Sequence, residues 1–345
     1  MDLIKYLKTV DKPIFLYGMG NGADRIFERL DKEKIAVSGV FVSDEFVRDK
    51  EFHGHKLCSY SDAKKQYPNM IVLVAFGTCI EEVLDNIKKI SCEQELYAPF
   101  IPVIGSGDFT DEYYCNHYDD FNFVRQRLAD NRSKEVFENI IKYRVSGNTD
   151  FLFNSFDSVD NIYSLLNMKK DAVYVDLGAY KGETAAEYIE KVGGYSHIYA
   201  VEPDIKNFKK LERNSRHLNN ISLYNTAVSF QNQKLHFAMN GGRNSAINPD
   251  NDKSVEIQAM SVDEILSGKK ADLIKYDVEG AELDAIKGTE ETIRNFKPKL
   301  AISCYHRIAD LFEIPKAVLS IRSDYKLYIR HLSYIPDWDT LYYFL

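Results

Sequence analysis

The chain has 345 residues, of which 45% are hydrophobic and 28% are charged, so it is long enough for two domains and has the composition of a folded protein. Its formal net charge of -8, together with the lack of any basic run, argues against a nucleic-acid partner. The five cysteines are scattered and form no CxxC pair, which argues against a disulfide framework or a zinc site and favours a reducing compartment.

The N-terminal part of the chain predicts a cytoplasmic α/β domain. Residues 1–10 carry charges within their apolar stretch and lack a small-residue cleavage site, and the longest apolar run, residues 70–76, is too short for a membrane span. From Pro13 onwards, apolar runs of strand length alternate with segments of helical period. This alternation predicts βαβ units and a small Rossmann-like domain over residues 1–106.

A glycine-rich loop, GMGNG at residues 18–22, follows the first predicted strand of this domain, and Asp44 ends the next one. A nucleotide or nucleotide-sugar site would use glycines and an acid in these places. The alternative is a degenerate domain that serves folding or the formation of a homo-oligomer. The sequence leaves both interpretations open.

Residues 107–170 change character and predict a mostly helical connector, with a clear helix over residues 133–144. A second alternating series begins at Ala172. It includes one strand over residues 221–229, one helix over residues 281–296 and a helix around residues 308–321 that Pro315 must start or break. Residues 325–345 predict two strands joined by a short turn. A mostly parallel sheet that ends in an antiparallel hairpin is the layout of class I methyltransferases, which we expect over residues 171–345.

The strongest motif, VDLGAYKGET at residues 175–184, lies between a predicted strand and an amphipathic helix. Glycines at such a turn let the backbone approach a ligand closely, and the helix N-terminus presents unpaired N–H groups. The spacing is not the GxGxxG of dinucleotide sites, because the second glycine, Gly182, follows the first, Gly178, by four residues. In addition, Asp176 lies two residues before Gly178. A carboxylate there would repel a pyrophosphate and would favour the cationic S-adenosylmethionine, which carries a sulfonium and an amino group.

A second acid, Glu202, ends the predicted strand 26 residues after Asp176. An acid in this position can accept hydrogen bonds from both hydroxyls of an adenosine ribose. The alternative is that Asp176 and Glu202 only cap the helices that follow. Two acids in register with a glycine turn favour the ligand site.

A third strand, in residues 273–282 (LIKYDVEGAE), also ends in acids and a glycine. Ligands of open α/β sheets bind beyond the carboxyl ends of the strands, so Asp277 and Glu279 should face the same crevice as Asp176 and Glu202. Either Asp277 or Glu279 could deprotonate an acceptor hydroxyl. The alternative for Glu279 and Glu282 is that they stabilise the first turn of a helix through its dipole.

These motifs, together with YAVEPD, SCYHRIADLFEIP and IRHLSYIPDWDTLYY, resemble the FkbM family of methyltransferases over roughly residues 160–345. The resemblance implies a class I fold, S-adenosylmethionine as methyl donor and, most often, a hydroxyl oxygen as acceptor. Members of the family often act on sugars or polyketide-like natural products, frequently in pathways for surface glycans. Our candidate cofactor-binding residues are Asp176, Gly178, Ala179, Tyr180, Gly182, Thr184, Glu202, Pro203 and Asp277.

For catalysis we expect in-line attack of an acceptor oxygen on the sulfonium methyl, with Asp277 as the first candidate base, His306 as the second and Glu279 beside them. His306 and His331 both match positions of the family pattern, although a lone histidine is more often structural. Asp277, Glu279 and His306 could also hold a divalent cation, but no spacing demands one and we predict no metal. The acceptor would be a small molecule or a glycan precursor. An NAD-dependent oxidoreductase and a non-catalytic nucleotide-binding scaffold are the alternatives.

Overall fold

The computed structural model describes residues 1–43, 50–238 and 254–345. It contains two parallel-stranded α/β units joined by a helical segment. Asp44, the candidate ribose-binding acid of the first unit, lies outside the described residues.

The first unit is a five-stranded sheet of strand order β5-β2-β1-β6-β7, in which every pair of neighbours is parallel. Its central strands are fully buried because they are continuous apolar runs, and α2 turns Ala23, Ile26 and Leu30 towards them with the spacing of one helical face. The elements are α1 Leu3–Leu7, β1 Ile14–Tyr17, α2 Asn21–Lys32, β2 Gly39–Val42, β3 Glu51–Phe52, β4 His55–Lys56, β5 Cys58–Ser59, α3 Tyr60–Gln66, β6 Ile71–Val74, α4 Glu81–Glu93 and β7 Glu95–Tyr97.

The segment between the two units is mostly helical, as the sequence predicts. Its longest helix, α7, begins after Asp130, whose side chain accepts a hydrogen bond from the Ser133 amide, and ends at Gly147 in the left-handed conformation. The segment also supplies a short strand, β8, to the edge of the second sheet. Its elements are α5 Asp111–Asn116, α6 Tyr118–Arg125, α7 Asn131–Ser146, α8 Asp150–Phe153, β8 Phe156–Asp157 and α9 Val159–Leu166.

The second unit is an eight-stranded sheet of order β11-β10-β9-β15-β16-β18-β17-β8. Strands β11, β10, β9, β15 and β16 are parallel, and β18 and β17 continue the sheet as an antiparallel hairpin. The predicted fold class, a mostly parallel sheet that ends in a hairpin and is preceded by a smaller α/β unit, is therefore confirmed. The elements are β9 Val173–Leu177, α10 Glu183–Val192, β10 His197–Val201, α11 Ile205–Ser215, β11 Ile221–Tyr224, β12 Ala227–Val228, β13 Gln233–Ala238, β14 Ser254–Met260, α12 Val262–Leu266, β15 Leu273–Tyr276, α13 Glu282–Lys287, α14 Glu290–Phe296, β16 Lys299–Ser303, α15 Asp310–Ile321, β17 Leu327–Leu332 and β18 Thr340–Phe344.

Two predicted elements are divided in the structure. The strand over residues 221–229 separates into β11 and β12, and β12 joins a different sheet of order β12-β14-β13. The helix over residues 281–296 separates into α13 and α14 at Gly288, where a Cβ atom would lie 2.2 Å from the Ser229 carbonyl oxygen. The helix is therefore interrupted where another segment of the chain approaches it closely. The helical periodicity of the sequence does not predict this interruption.

The prediction that Pro315 must start or break a helix is wrong, because Pro315 lies inside α15. A proline at this position cannot donate a hydrogen bond to the carbonyl oxygen four residues earlier, which belongs to Leu311. The hydroxyl of Tyr342, on β18, donates a hydrogen bond of 2.6 Å to that oxygen. A buried side chain of the sheet thus replaces the missing helical hydrogen bond.

The two faces of the second sheet pack into different hydrophobic clusters. Val175 and Leu177 of β9 pack into the larger hydrophobic cluster, whereas Tyr174 packs under α9 and α10. Asp176 is on the same face as Tyr174, because successive side chains of a strand point to opposite faces. Within the described parts of the chain, no helix is long and apolar enough to cross a membrane.

Candidate functional site

The carboxyl ends of β9, β10, β15 and β16 meet at one edge of the second sheet, where a cavity of about 440 Å³ opens. The predicted site residues that line it are Gly178, Tyr180, Thr184, Glu202, Pro203, Asp277 and Glu279. Asp176, Ala179, Gly182 and His306 are not among the lining residues and lie behind or beside the wall. Seven of the residues predicted from sequence thus line one cavity, and their roles stay predictions.

Gly178 brings the ends of β9 and β15 into direct contact. A Cβ atom at this position would lie 1.9 Å from the Asp277 carbonyl oxygen, and the residue has a φ of +85°. No other residue type fits there without displacing the chain. The glycine turn thus places the loop after β9 against the residue that ends β15.

Asp176 is fully buried, and neither of its carboxylate oxygens has a hydrogen-bond partner among the described residues. Burial raises its pKa, and the nearest cation, the Lys275 ammonium, lies 3.7 Å from Oδ1. Lys275 is directly opposite Asp176 in the β9–β15 pair and lines the cavity. A buried carboxylate without hydrogen-bond donors is costly, and the Lys275 ammonium supplies nearby positive charge that offsets part of this cost.

Glu202 is held in place by the backbone around it. One carboxylate oxygen accepts the Tyr180 amide at 2.9 Å and the other accepts the Asp204 amide at 2.8 Å. Burial raises the pKa of Glu202 to about 7. Each oxygen keeps a further lone pair, so the carboxylate can still accept a hydrogen bond from a ligand in the cavity.

Asp277 is the most strongly hydrogen-bonded acid of the site. Its Oδ1 accepts the hydroxyls of Ser303 at 3.0 Å and Tyr305 at 2.9 Å, and its Oδ2 lies 3.4 Å from the Lys275 ammonium. Burial alone would raise the pKa of Asp277, but Lys275 and His306 reverse the effect and lower it. Lys275, Ser303 and Tyr305 are not among the residues predicted from sequence. The available signal was a polar residue within each of the otherwise apolar strands β15 and β16, namely Lys275 and Ser303.

Glu279 lines the cavity with a φ of 51°, in the left-handed region, and burial raises its pKa. Its Oε2 lies 3.5 Å from Nε2 of His306, which also lies 3.7 Å from Oδ1 of Asp277. Burial by itself would lower the pKa of His306, but the surrounding acids, Glu282 first, raise it well above its ordinary value. His306 thus lies behind the two carboxylates that face the cavity, and the surrounding acids favour its protonated form.

One group of buried side chains in the described residues has the composition of a cation site. It consists of Glu282, His306 and Asp310, whose ligand atoms lie within 4.8 Å of one another. Burial, with Glu282, raises the pKa of Asp310 to about 7. The expectation that the site uses no metal stays a prediction.

His331 is fully buried and is not a lining residue. Its Nε2 lies 3.0 Å from the Tyr334 carbonyl oxygen and its Nδ1 lies 2.9 Å from the Thr340 hydroxyl. Burial lowers its pKa to about 3. The structure therefore separates His331 from the cavity and places it in the hydrogen bonding of the terminal hairpin.

Packing explains two of the three glycines in the glycine-rich loop of the first unit. A Cβ atom at Gly18 would lie 2.5 Å from the Phe76 ring, and one at Gly22 would lie 2.5 Å from the Ala75 carbonyl oxygen. Both glycines are required by the neighbouring strand end, whether or not a ligand binds. Nothing lies within 4 Å of a Cβ atom at Gly20, so the geometry leaves both interpretations of the loop open.

Most of the residues that line the cavity belong to a segment that matches a known family. Residues 176–334 match the family model described as the methyltransferase FkbM domain. The crystal structure of methyltransferase FkbM from Methylobacillus flagellatus KT is similar over 97% of this chain and 90% of that chain, with 21% sequence identity and a TM-score of 0.73. At this sequence identity, the similarity to the Methylobacillus flagellatus structure shows a shared fold and no more.

More distant solved structures match only about half of the chain. An rRNA methylase from Streptococcus thermophilus has a TM-score of 0.34 at 13% identity, covering 54% of this chain and 92% of that chain. Aeropyrum pernix fibrillarin, in complex with natively bound S-adenosyl-L-methionine, has a TM-score of 0.33 at 14% identity, covering 51% and 67%. A search of curated proteins returns no match.

Proposed function

We propose that the protein transfers the methyl group of S-adenosylmethionine to a hydroxyl oxygen of a sugar or glycan precursor. The observation that carries this proposal is that Glu202, Asp277 and Glu279 line one cavity within the segment that matches the methyltransferase FkbM domain. These three acids come from the ends of β10 and β15. The same edge of the sheet therefore offers groups for a cofactor and for an acceptor.

The residues around the cavity fit a cationic, adenosine-containing cofactor. In this proposal Glu202 accepts the ribose hydroxyls, and the loop from Asp176 to Gly182 holds the methionine portion. Asp176, whose buried oxygens lack donors, adds negative charge behind this loop. When bound, S-adenosylmethionine supplies a methyl group on a sulfonium, which an acceptor oxygen can attack. The chain's own contribution is to bind and orient both reactants.

Glu279 is the group best suited to take the proton of an acceptor hydroxyl. A general base works best when its pKa is close to the working pH, and burial raises the pKa of Glu279 whereas Lys275 and His306 lower that of Asp277. Asp277 then stays ionised and holds Lys275, Ser303 and Tyr305 in place. His306 does not line the cavity and acts through Glu279 and Asp277 as a positioning residue.

The acceptor side of the cavity supports a hydroxyl-rich ring as substrate. Glu279 and Asp339 offer hydrogen-bond acceptors there, and Tyr334 and Trp338 offer flat aromatic surface. Sugar rings present hydroxyls at their edge and C–H groups on their face, so they match both kinds of surface.

Isothermal titration with S-adenosylmethionine, S-adenosylhomocysteine and NAD tests the cofactor assignment. We expect both adenosyl ligands to bind with one site per chain and NAD not to bind. Binding of NAD alone would replace the proposal with the oxidoreductase alternative. Binding of none of the three would favour a non-catalytic scaffold.

The acceptor is tested separately, by following S-adenosylhomocysteine release with methyl glycosides of common hexoses and with nucleotide-sugars. We expect turnover with at least one sugar, and mass spectrometry of the product should place the methyl group on oxygen. Adenosyl-ligand binding without turnover on any sugar would retain the cofactor and reject the proposed acceptor class.

A further inference from the structure

One wall of the cavity is formed by the hairpin loop, residues 333–339, which connects β17 and β18. Tyr334, Trp338 and Asp339 of this loop line the cavity. The rings of Tyr334 and Trp338 pack with their centroids 5.6 Å apart. The loop therefore adds two aromatic side chains to the wall of the cavity, and its position affects the shape of the space left for an acceptor.

The first sheet is attached to this loop through the chain that follows β6. The Thr78 amide donates to the Ile335 carbonyl oxygen at 2.7 Å, and the Ile335 amide donates to the Thr78 carbonyl oxygen at 2.9 Å. Next to this bridge, a Cβ atom at Gly77 would lie 2.4 Å from the Trp338 ring. The backbone of the first unit thus lies directly against the indole, and only a glycine leaves room for it.

The helical segment holds the same loop from another direction. Arg144 of α7 forms a 2.6 Å ion pair with Asp337, and both side chains are almost completely buried. Arg144 also donates to the Cys304 carbonyl oxygen at 3.0 Å, which ties the loop to the end of β16. Removing one partner of such a buried pair would leave an uncompensated buried charge, so the fold depends on both residues.

A second stretch of the first unit reaches the catalytic side of the cavity. The Ile104 amide donates to the His306 carbonyl oxygen at 2.9 Å, and Val103 lines the cavity. A Cβ atom at Gly280 would lie 3.0 Å from the Ile104 side chain. The first unit therefore contacts both sides of the space between Trp338 and Glu279.

From these contacts we infer that the first unit is a positioning part of the acceptor site, in which Gly77 and Thr78 set the place of Trp338 and so the fit of the acceptor. This inference rests on the proposed function for the identity of the reaction. It assigns to the first sheet a role that needs no nucleotide in its glycine loop. Gly77 is a positioning residue, because it acts on the acceptor through Trp338.

Trp338 is the only tryptophan of the chain, so its fluorescence reports on this wall when it is excited at a wavelength that the 23 tyrosines do not absorb. Gly77→Ala puts a methyl group into the indole, and close-packed side chains must move to admit it. We expect the acrylamide quenching constant of Trp338 to change by about twofold or more, because a packed interface cannot absorb the added volume in place. The matched control is Cys79→Ser, two residues along in the same loop, where the side chain is exposed and the quenching should stay as in the wild type.

Kinetic measurements then distinguish an effect on acceptor positioning from a general loss of structure or of cofactor binding. Gly77→Ala should raise KM for the sugar acceptor by about tenfold, since a displaced binding surface costs orientation, while the Kd of S-adenosylhomocysteine stays unchanged. In the Trp338→Phe background, which removes the ring atoms that Gly77 faces, the added methyl group should have little further effect on KM. This double-mutant cycle attributes the effect to one contact.

The inference is overturned if Gly77→Ala leaves both the quenching and KM unchanged, or if it weakens S-adenosylhomocysteine binding as much as acceptor binding. If no sugar is methylated by the wild type, the acceptor class proposed above fails, and the quenching comparison between Gly77→Ala and Cys79→Ser still decides whether the first sheet positions Trp338.

Discussion

Oε1 of Glu282 lies 3.0 Å from Nδ1 of His306, with both side chains inaccessible to solvent. The same oxygen accepts the Val278 amide at 3.0 Å and the Gly280 amide at 3.4 Å. Glu282 thus holds both the turn that carries Glu279 and the His306 side chain behind it. Its early position in α13 agrees with the dipole interpretation offered from sequence, but these contacts give it a more specific function.

Removal of the Glu282 charge should lower the pKa of His306. In the wild type this pKa is raised, so the stabilising charge on His306 is fully present below the ordinary histidine pKa of 6.5 and is lost as the pH rises through the raised value. We expect NMR titration of the imidazole to show His306 protonated at neutral pH in the wild type and titrating at lower pH in Glu282→Gln. The control is Glu212→Gln, on an exposed helical position. Equal titration curves in both variants would contradict the assignment.

Glu279→Gln should reduce kcat by about 100-fold or more, the usual contribution of a general base. Because the pKa of Glu279 is raised, the wild-type rate should increase with pH through a value above the ordinary carboxyl range, and this dependence should be absent in the variant. S-adenosylhomocysteine affinity should be unchanged. If Asp277→Asn instead removed the pH dependence while Glu279→Gln kept it, Asp277 would be the base.

Asp176→Asn should separate cofactor binding from stability. Its carboxylate is buried without hydrogen-bond donors, so removing the charge should not lower the free energy of unfolding by more than about 1 kcal/mol. The loss of negative charge should raise the Kd of S-adenosylmethionine by about tenfold, as measured by calorimetry. A variant with wild-type affinity would show that Asp176 has no part in the cofactor site.

His331 should make the protein sensitive to acid. Burial lowers its pKa to about 3, so the unfolded chain takes up a proton near pH 6.5 and the folded chain does not. Stability should therefore fall as the pH decreases from 6.5 to about 3, by on the order of 4 kcal/mol in total. Denaturant unfolding at several pH values should give a shallower dependence for His331→Gln than for the wild type. His217→Gln, at an exposed position, should keep the wild-type slope.

The hydrogen bond between Tyr342 and the Leu311 carbonyl should matter only because of Pro315. Tyr342→Phe leaves this buried oxygen without a donor and should lower the free energy of unfolding by about 1–2 kcal/mol. In the Pro315→Ala background the backbone amide of residue 315 can donate to the same oxygen, so the cost of Tyr342→Phe should be at least halved. Denaturant unfolding of the four proteins checks this, and an unchanged cost in both backgrounds would show that Pro315 is not the reason for the contact.

The sequence contains enough local information to predict both sheets and the edge at which the site lies. Asp176, Glu202 and Asp277 each follow a strand of the same parallel sheet, and parallel strands end at a common edge. By contrast, the break at Gly288 and the tolerance of Pro315 depend on Ser229 and Tyr342, which are distant in the chain. The periodic pattern of apolar residues depends on the segment alone and does not report contacts with residues that are distant in the chain.

What the sequence by itself determined is therefore the order of strands and helices, the glycine turn and the acids beyond the strand ends, because short-range patterns of apolar residues and turn residues encode them. Only the tertiary structure decided that Lys275 lies between Asp176 and Asp277, that His306 is behind Glu279, and that Gly77 meets Trp338. Each of these contacts depends on strand register or on the docking of separate segments. Register and docking result from packing the whole chain at once, which is why no single segment predicts them.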